Sequence, residues 1–202
     1  MIPMMKDPDF VNLVGGAPLP SLFPIKSITV TLQDGSQVEL QEADASLAQR
    51  YAPFAQGPLI EWCKQQVSAL HKPPGPWDVQ LTAGSMAGID ACLDNLFDRG
   101  DTILVEEFTF TAALDAIAAL GLNVVTVPCD AGGLVPKELK RICEELGAKG
   151  TRPKGLLTIP AAQNPTGTRL RCAQFCNPLQ PKMPRLSAIS ISNATNVGEL
   201  NL

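Results

Sequence analysis

The chain has 202 residues, of which 45% are hydrophobic and 18% charged, and its net charge is -4, the balance of an ordinary globular protein. No cluster of Lys and Arg is available to track phosphates, which excludes a nucleic-acid partner. No run reaches the roughly 18 apolar residues of a membrane helix, and Met1 to Asp7 lack the basic-then-apolar order of a secretory signal.

The six cysteines are scattered, with only Cys172 and Cys176 close together, and His71 is the only histidine. A metal site needs clustered ligands, so none is expected. Reduced, mostly buried thiols in a cytoplasmic protein are the expectation.

Residues 1–44 read as an extended arm. Gly15-Gly16 followed by Pro18 and Pro20 forbids a regular helix or central strand. The double glycine is either a hinge or a place where a ligand approaches bare backbone. Ile28 to Leu32 alternates as a short strand, closed by the Asp34-Gly35 turn. Ala45 to Arg50 predicts a short helical piece, followed by a polar loop that carries the only tyrosine, Tyr51. Pro58 opens a helix with Leu59, Cys63, Val67 and Leu70 on one face.

A regular alternation follows. Val79 to Thr82 predicts a strand, and Ala83-Gly84-Ser85 turns into a helix with Ile89, Cys92, Leu93, Leu96 and Phe97 on its apolar face. Thr102 to Val105 predicts a second strand, Ala112 to Leu120 a helix stopped by Gly121, and Val124 to Val127 a third strand. A turn at Asp130 to Gly133 leads to a helix from Pro136. Leu156 to Ile159 predicts a fourth strand, which ends in Ala161-Ala162-Gln163-Asn164-Pro165-Thr166-Gly167. Strands alternating with helices define an α/β fold, a mostly parallel sheet covered by helices.

Two polar loops follow predicted strands, where open α/β sheets place ligand chemistry. In Thr82-Ala83-Gly84-Ser85-Met86 a glycine and a helix start can converge N–H groups on an anion, typically phosphate. Ser85 is then a further donor, the helix N-cap, or both. The spacing is neither the dinucleotide fingerprint nor a P-loop. Asn164 to Gly167 is either a plain βα turn or a second contact. With Phe110 after the strand between them, these loops suit a planar phosphorylated cofactor: phosphate on the helix end, an aromatic ring on its face, the Asn164 amide on a ring oxygen.

These stretches resemble the fold type I, pyridoxal-phosphate-dependent aminotransferases of class I/II, and within them the kynurenine/α-aminoadipate and aromatic amino acid aminotransferases. The matching segments are Gly15-Gly16 to Pro24, Arg50 to Pro53, Thr82 to Ser85, Asp101 to Glu107, Gly132 to Pro136 and Asn164 to Gly167. The resemblance implies pyridoxal 5'-phosphate as cofactor, an amino acid and a 2-oxo acid as substrates, and a dimer. It implies that Ser85 and the Met86 N–H bind the phosphate and that Phe110 stacks on the ring. It further implies that Asn164 bonds the phenolic oxygen, that Tyr51 reaches the partner subunit's phosphate and that Gly15 and Gly16 line the substrate side. Residues 45–170 correspond to part of the family's large domain.

After Gly167 the resemblance stops. Residues 171–202, rich in Pro, Ser and Asn, show no helical or strand period and read as a disordered tail. Loss of the later strands predicts an exposed sheet edge. The family's Schiff-base lysine stands in a Ser-x-Ser-Lys-type context, and none of Lys6, Lys26, Lys64, Lys72, Lys137, Lys140, Lys149, Lys154 and Lys182 does. The expectation is an aminotransferase-family chain, truncated after the Asn-Pro-Thr-Gly motif and inactive alone. The alternatives are a non-catalytic subunit that dimerises with a full-length homologue, and a generic nucleotide-binding domain, which no motif supports.

Overall fold

The computed structural model describes residue 16 and residues 18–50, 57–73, 75–170, 186–190 and 196–200. The chain divides into two compact units, Met1–Leu81 and Thr82–Leu202.

In the first unit a 3-10 turn, Pro20–Leu22, precedes β1 (Ile28–Thr31) and β2 (Gln37–Leu40), then α1 (Glu42–Ala48) and α2 (Gly57–His71). β1 and β2 pair antiparallel. Their turn uses Gly35 at φ 83° and the Asp34 carboxylate, which accepts from the Ser36 N–H and hydroxyl at 2.9 and 2.6 Å. β2 is not legible as a strand in the sequence because Gln37 to Leu40 carries only two apolar residues. Ala45 is the sole buried apolar residue among those described in this unit. The helix expected to carry Leu59, Cys63, Val67 and Leu70 forms, but Leu59 and Leu70 are exposed and Trp62 is 57% exposed.

The second unit is built on α3 (Gly84–Leu96), β3 (Thr102–Glu106), α4 (Thr111–Leu120), β4 (Asn123–Val127), a small hairpin of β5 (Cys129–Asp130) and β6 (Gly133–Leu134), α5 (Pro136–Ala148), β7 (Gly155–Thr158), β8 (Leu186–Ser190) and β9 (Asn196–Leu200). Five strands form one sheet in the order β4-β3-β7-β8-β9. The first four run parallel and β9 antiparallel to β8. This is the expected α/β architecture.

Side-chain alternation along the strands divides the core into two layers. Ile103, Val105, Leu157 and Ile189 pack with Ile89 and Leu93 of α3 and Ala113 and Ile117 of α4. Leu104 and Leu156 point the other way, onto Val127, Leu134 and the Leu139, Ile142 and Cys143 face of α5. Helices thus cover both sheet faces, as buried parallel strands require. Leu96, expected on the apolar face of α3, is exposed, because the helix stops there and Phe97 turns into the core instead.

Two expectations are corrected. Val79 to Thr82 forms no strand: Val79 donates its N–H to the Asp78 carboxylate at 2.7 Å, and the Leu81 carbonyl accepts from the Gln80 amide at 3.1 Å. Local side chains have taken up backbone groups that a sheet neighbour would otherwise satisfy. In the tail, Leu186–Ser190 and Asn196–Leu200 are strands, not structureless chain. β8 pairs with β7 from Gly155↔Ser187 to Thr158↔Ser190. The edge predicted to lie bare on that side of β7 is therefore occupied, and the pairing, not the weak local pattern, makes the strand. The rest of the tail, with Cys172, Cys176 and Lys182, lies outside the described residues.

No helix among the described residues is long and apolar enough to cross a membrane. Among the described residues, Cys63, Cys92, Cys129 and Cys143 are free thiols. Burial pushes the Cys92, Cys129 and Cys143 thiols above their ordinary range.

Candidate functional site

Chain direction brings three of the predicted contacts to one end of the sheet. The C-terminal end of α3 leads through Asp98 to Asp101 into the start of β3, so the N-terminus of α3 lies toward the C-terminal end of that strand. α4 begins after β3 ends, and its last turn returns to the start of β3, where Gly100 donates to the Gly121 carbonyl at 3.0 Å. The 161–167 loop leaves the C-terminal end of β7, which is parallel to β3.

At α3, Gly84 takes φ 85°, a conformation that L side chains rarely adopt. Its N–H donates to the Thr82 carbonyl at 2.9 Å, and the Thr82 hydroxyl donates to the Gly84 carbonyl at 2.9 Å. These bonds set the entry angle of the helix. The N-cap position is Ala83, with no side-chain cap, and the first turn contains no acidic residue. Ser85 is therefore not the cap, and the first-turn N–H groups lack a capping side chain, which suits an anion. Ser85 is exposed and Met86 half-buried, the latter packing on the α3–α4 core. A phosphorylated group fits this helix start.

Phe110 is the N-cap residue of α4 and is half-buried against the same core. Asn164 is exposed at the tip of the loop after β7, in a cis bond to Pro165. In the first unit Gly16 is exposed with φ 42°. Gly15 and Tyr51 lie outside the described residues.

The residues that hold the Asn164 loop, Glu106 and Gln163, lie in stretches the sequence singles out, but nothing in the sequence gives them this role. Glu106, the last residue of β3, is 1% exposed and Gln163 is 4% exposed. Continuing the β3–β7 register past Val105↔Leu157 sets Glu106 beside Thr158. The Thr158 hydroxyl donates to Glu106 Oε1 at 2.8 Å, and the Ile159 N–H and Gln163 Nε2 donate to Oε2 at 3.1 and 3.0 Å. Gln163 Nε2 also donates to the Phe108 carbonyl. On its other side, Gln163 Oε1 accepts from the Thr166 N–H at 2.9 Å and the Thr166 hydroxyl at 2.7 Å. The loop closes on itself as Gly167 donates to the Gln163 carbonyl at 2.6 Å and Gln163 to the Thr168 carbonyl at 3.0 Å. A glutamate at a strand end points to nothing by itself. Only the pairing of β3 with β7, across some 50 residues of chain, gives it a role.

Lys154 stands at the opposite end of the strands. Its N–H donates to the Thr102 carbonyl, and its ammonium pairs with Asp98 and Asp101 at 3.1 and 2.5 Å.

Residues 25–181 match the profile of aminotransferase class I and II, and the chain belongs to that family. It is 35% identical over 175 residues to the mitochondrial kynurenine/alpha-aminoadipate aminotransferase of Mus musculus, covering 79% of this chain and 41% of the mouse protein. It is 31% identical over 185 residues to an aromatic amino acid aminotransferase of Schizosaccharomyces pombe, covering 81% and 39%. Among solved structures, aminotransferase Aro8 from Candida albicans superposes with a TM-score of 0.69 at 30% identity, over 84% of this chain and 40% of that one. Aromatic aminotransferase Aro9 from the same organism gives 0.71 at 28% identity, over 84% and 41%. The chain thus spans about two fifths of the length of the relatives it matches.

Proposed function

We propose that this chain carries the phosphate- and ring-binding half of a pyridoxal 5'-phosphate-dependent aminotransferase site. The reaction is amino-group transfer between an amino acid of aromatic, kynurenine or aminoadipate type and a 2-oxo acid. The observation that carries this reading is an uncapped helix start and an Asn164 turn at one end of the sheet of a family member.

When bound, the cofactor supplies the electron sink for the transfer. The Ser85 hydroxyl and Met86 N–H donate to its phosphate, where the partial positive charge of the α3 N-terminus adds to the attraction. The Asn164 amide donates to the phenolic oxygen, and the Phe110 ring lies on the ring face. Tyr51 serves the partner subunit's phosphate, and Gly15 and Gly16 bound the substrate side. Residues 1–44 act as an arm and 45–170 as part of the large domain. The free thiols suit a reducing compartment such as the cytosol.

None of the nine lysines stands in the family's context for the cofactor-bearing lysine, so the 202-residue chain by itself is expected to bind without turnover. Titration with pyridoxal phosphate, followed by its absorbance and by borohydride fixation, tests this. Phosphate-dependent, non-covalent binding weakened about tenfold by Ser85→Ala is expected, from loss of a hydrogen bond to a charged group. Equal affinity for pyridoxal and pyridoxal phosphate would overturn the binding role. A stoichiometric adduct on one lysine with turnover would overturn the inactivity.

A second reading is a non-catalytic subunit that dimerises with a full-length homologue. The observation in its favour is the exposed apolar surface of α2, with Leu59, Trp62 and Leu70, since such patches mark interaction sites. Co-expression with a full-length relative and co-purification through a tag on this chain tests it, and separate elution of the two would count against it.

A further inference from the structure

We propose that Glu106 is a positioning residue, which fixes the Asn164 turn through Gln163. The inference rests on the reading of Asn164 as a ring contact, and it extends that reading to a buried latch.

The geometry assigns each group one partner set. Glu106 is a carboxylate with acceptor capacity only, and three donors converge on it: the Thr158 hydroxyl, the Ile159 N–H and Gln163 Nε2. Those partners leave the Gln163 amide with one orientation, because Nε2 must face Glu106 and Phe108. Its Oε1 then faces Thr166 and accepts twice. A flipped amide would set oxygen against oxygen on one side and N–H against N–H on the other. Gln163 and Thr166 flank Asn164 and Pro165, so the orientation of one buried amide fixes both ends of the exposed turn. A bond to a charged acceptor is stronger than one between neutral groups, and burial makes an unpartnered donor costly. A glutamate at this position therefore holds the turn more firmly than an apolar side chain would.

Glu106 also ties the ends of β3 and β7 together, so a purely structural role must be told apart from positioning. Gln163→Leu makes the distinction, since it leaves Glu106 its bonds to Thr158 and Ile159 and removes the side-chain bonds of Gln163 to Glu106, Phe108 and Thr166. Amide hydrogen exchange of the full 202-residue chain, without cofactor, reads the latch directly. Thr166 and Gly167 N–H groups should exchange about tenfold or more faster in Gln163→Leu, as expected for loss of a buried bond network. The β3 amides of Leu104 and Val105 should be unchanged. Glu106→Gln should stay within about threefold of the parent at the turn, because its oxygen can accept from Gln163 while Thr158 reverses its hydroxyl. Glu106→Leu should match Gln163→Leu at the turn.

Pyridoxamine phosphate binding, followed by cofactor fluorescence, should weaken about tenfold in Gln163→Leu and in Glu106→Leu and stay close to the parent in Glu106→Gln, in step with the exchange. Unchanged exchange at Thr166 and Gly167 in Gln163→Leu, or equal acceleration of turn and β3 amides, overturns the latch. Loss of the latch with no change in binding overturns its positioning role. Absence of binding by the parent chain overturns the ring-contact reading, and with it the link to Asn164; the exchange result still decides whether Glu106 holds the turn.

Discussion

Substituting Gly133 tests how tightly the chain leaving the candidate site is packed. Gly133 begins β6 at φ 90°, and a Cβ built there would lie 3.2 Å from the Leu170 Cα and 3.3 Å from its Cδ1. Leu170 is held in place, since its N–H donates to the Pro160 carbonyl at 2.8 Å. An alanine at Gly133 meets two penalties: a left-handed backbone costs about 1–2 kcal/mol, and forcing a methyl against a backbone atom that cannot rotate away costs about 1–3 kcal/mol. Gly100 provides the comparison, because its φ is 89° and a Cβ there meets nothing within 4 Å. Gly100→Ala should therefore lose only the backbone part, about 1–2 kcal/mol. Gly133→Ala should lose about 2–5 kcal/mol, the sum of the two penalties. Urea unfolding of both variants at neutral pH, with slopes checked against the parent, measures the difference. Equal losses at the two positions would refute the argument that Leu170 crowds Gly133.

Three further outcomes are expected. Ile189 is fully buried in the α3–α4 core layer, so Ile189→Ala should destabilise the chain by about 2–4 kcal/mol; a loss below about 0.5 kcal/mol in urea, the scale of a surface change, would mean that β8 is not packed there. The Lys154 ammonium, and after it the Asp98 N–H, hold the Asp101 carboxyl below the usual carboxylate range. A lowered folded-state value contributes stability above the unfolded value that is lost as pH falls through the folded one. Asp101→Asn should therefore flatten the fall in urea midpoint below about pH 4, and an unchanged slope would count against the pair. Burial holds the Cys143 thiol up, with the Glu144 carboxylate adding to it, so Cys143 should react with iodoacetamide about tenfold or more slowly in the folded chain than in urea, as thiolate chemistry requires. Peptide mass mapping reads this site by site, and equal rates would refute it.

Much of the architecture is legible along the chain because the central strands are buried on both faces. Thr102 to Glu106 and Gly155 to Thr158 hold near-continuous apolar runs, and the helix between β6 and β7 shows a clear apolar face. The local signals at Gly84 and Gly121 likewise mark a helix start and a helix stop, both at positive φ. Aminotransferase membership is legible too, since it rests on short segments in order and these need no tertiary information.

What the sequence could not decide depends on pairing between distant residues. Leu186 to Ser190 has little strand character by itself. It becomes a strand because β7 presents an unfilled row of N–H and C=O groups to it. Val79 to Thr82 has more strand character but finds no such row. Ser85 reads as a helix cap or a phosphate donor by sequence alone, and the cap reading drops out only when the helix start is placed at Ala83 and Gly84. The Asn164 turn is visible from its dipeptides, while Glu106, the residue beneath it, is not. A buried carboxylate acquires meaning only when the fold brings donors to it, and those donors stand 52 to 57 residues further along the chain.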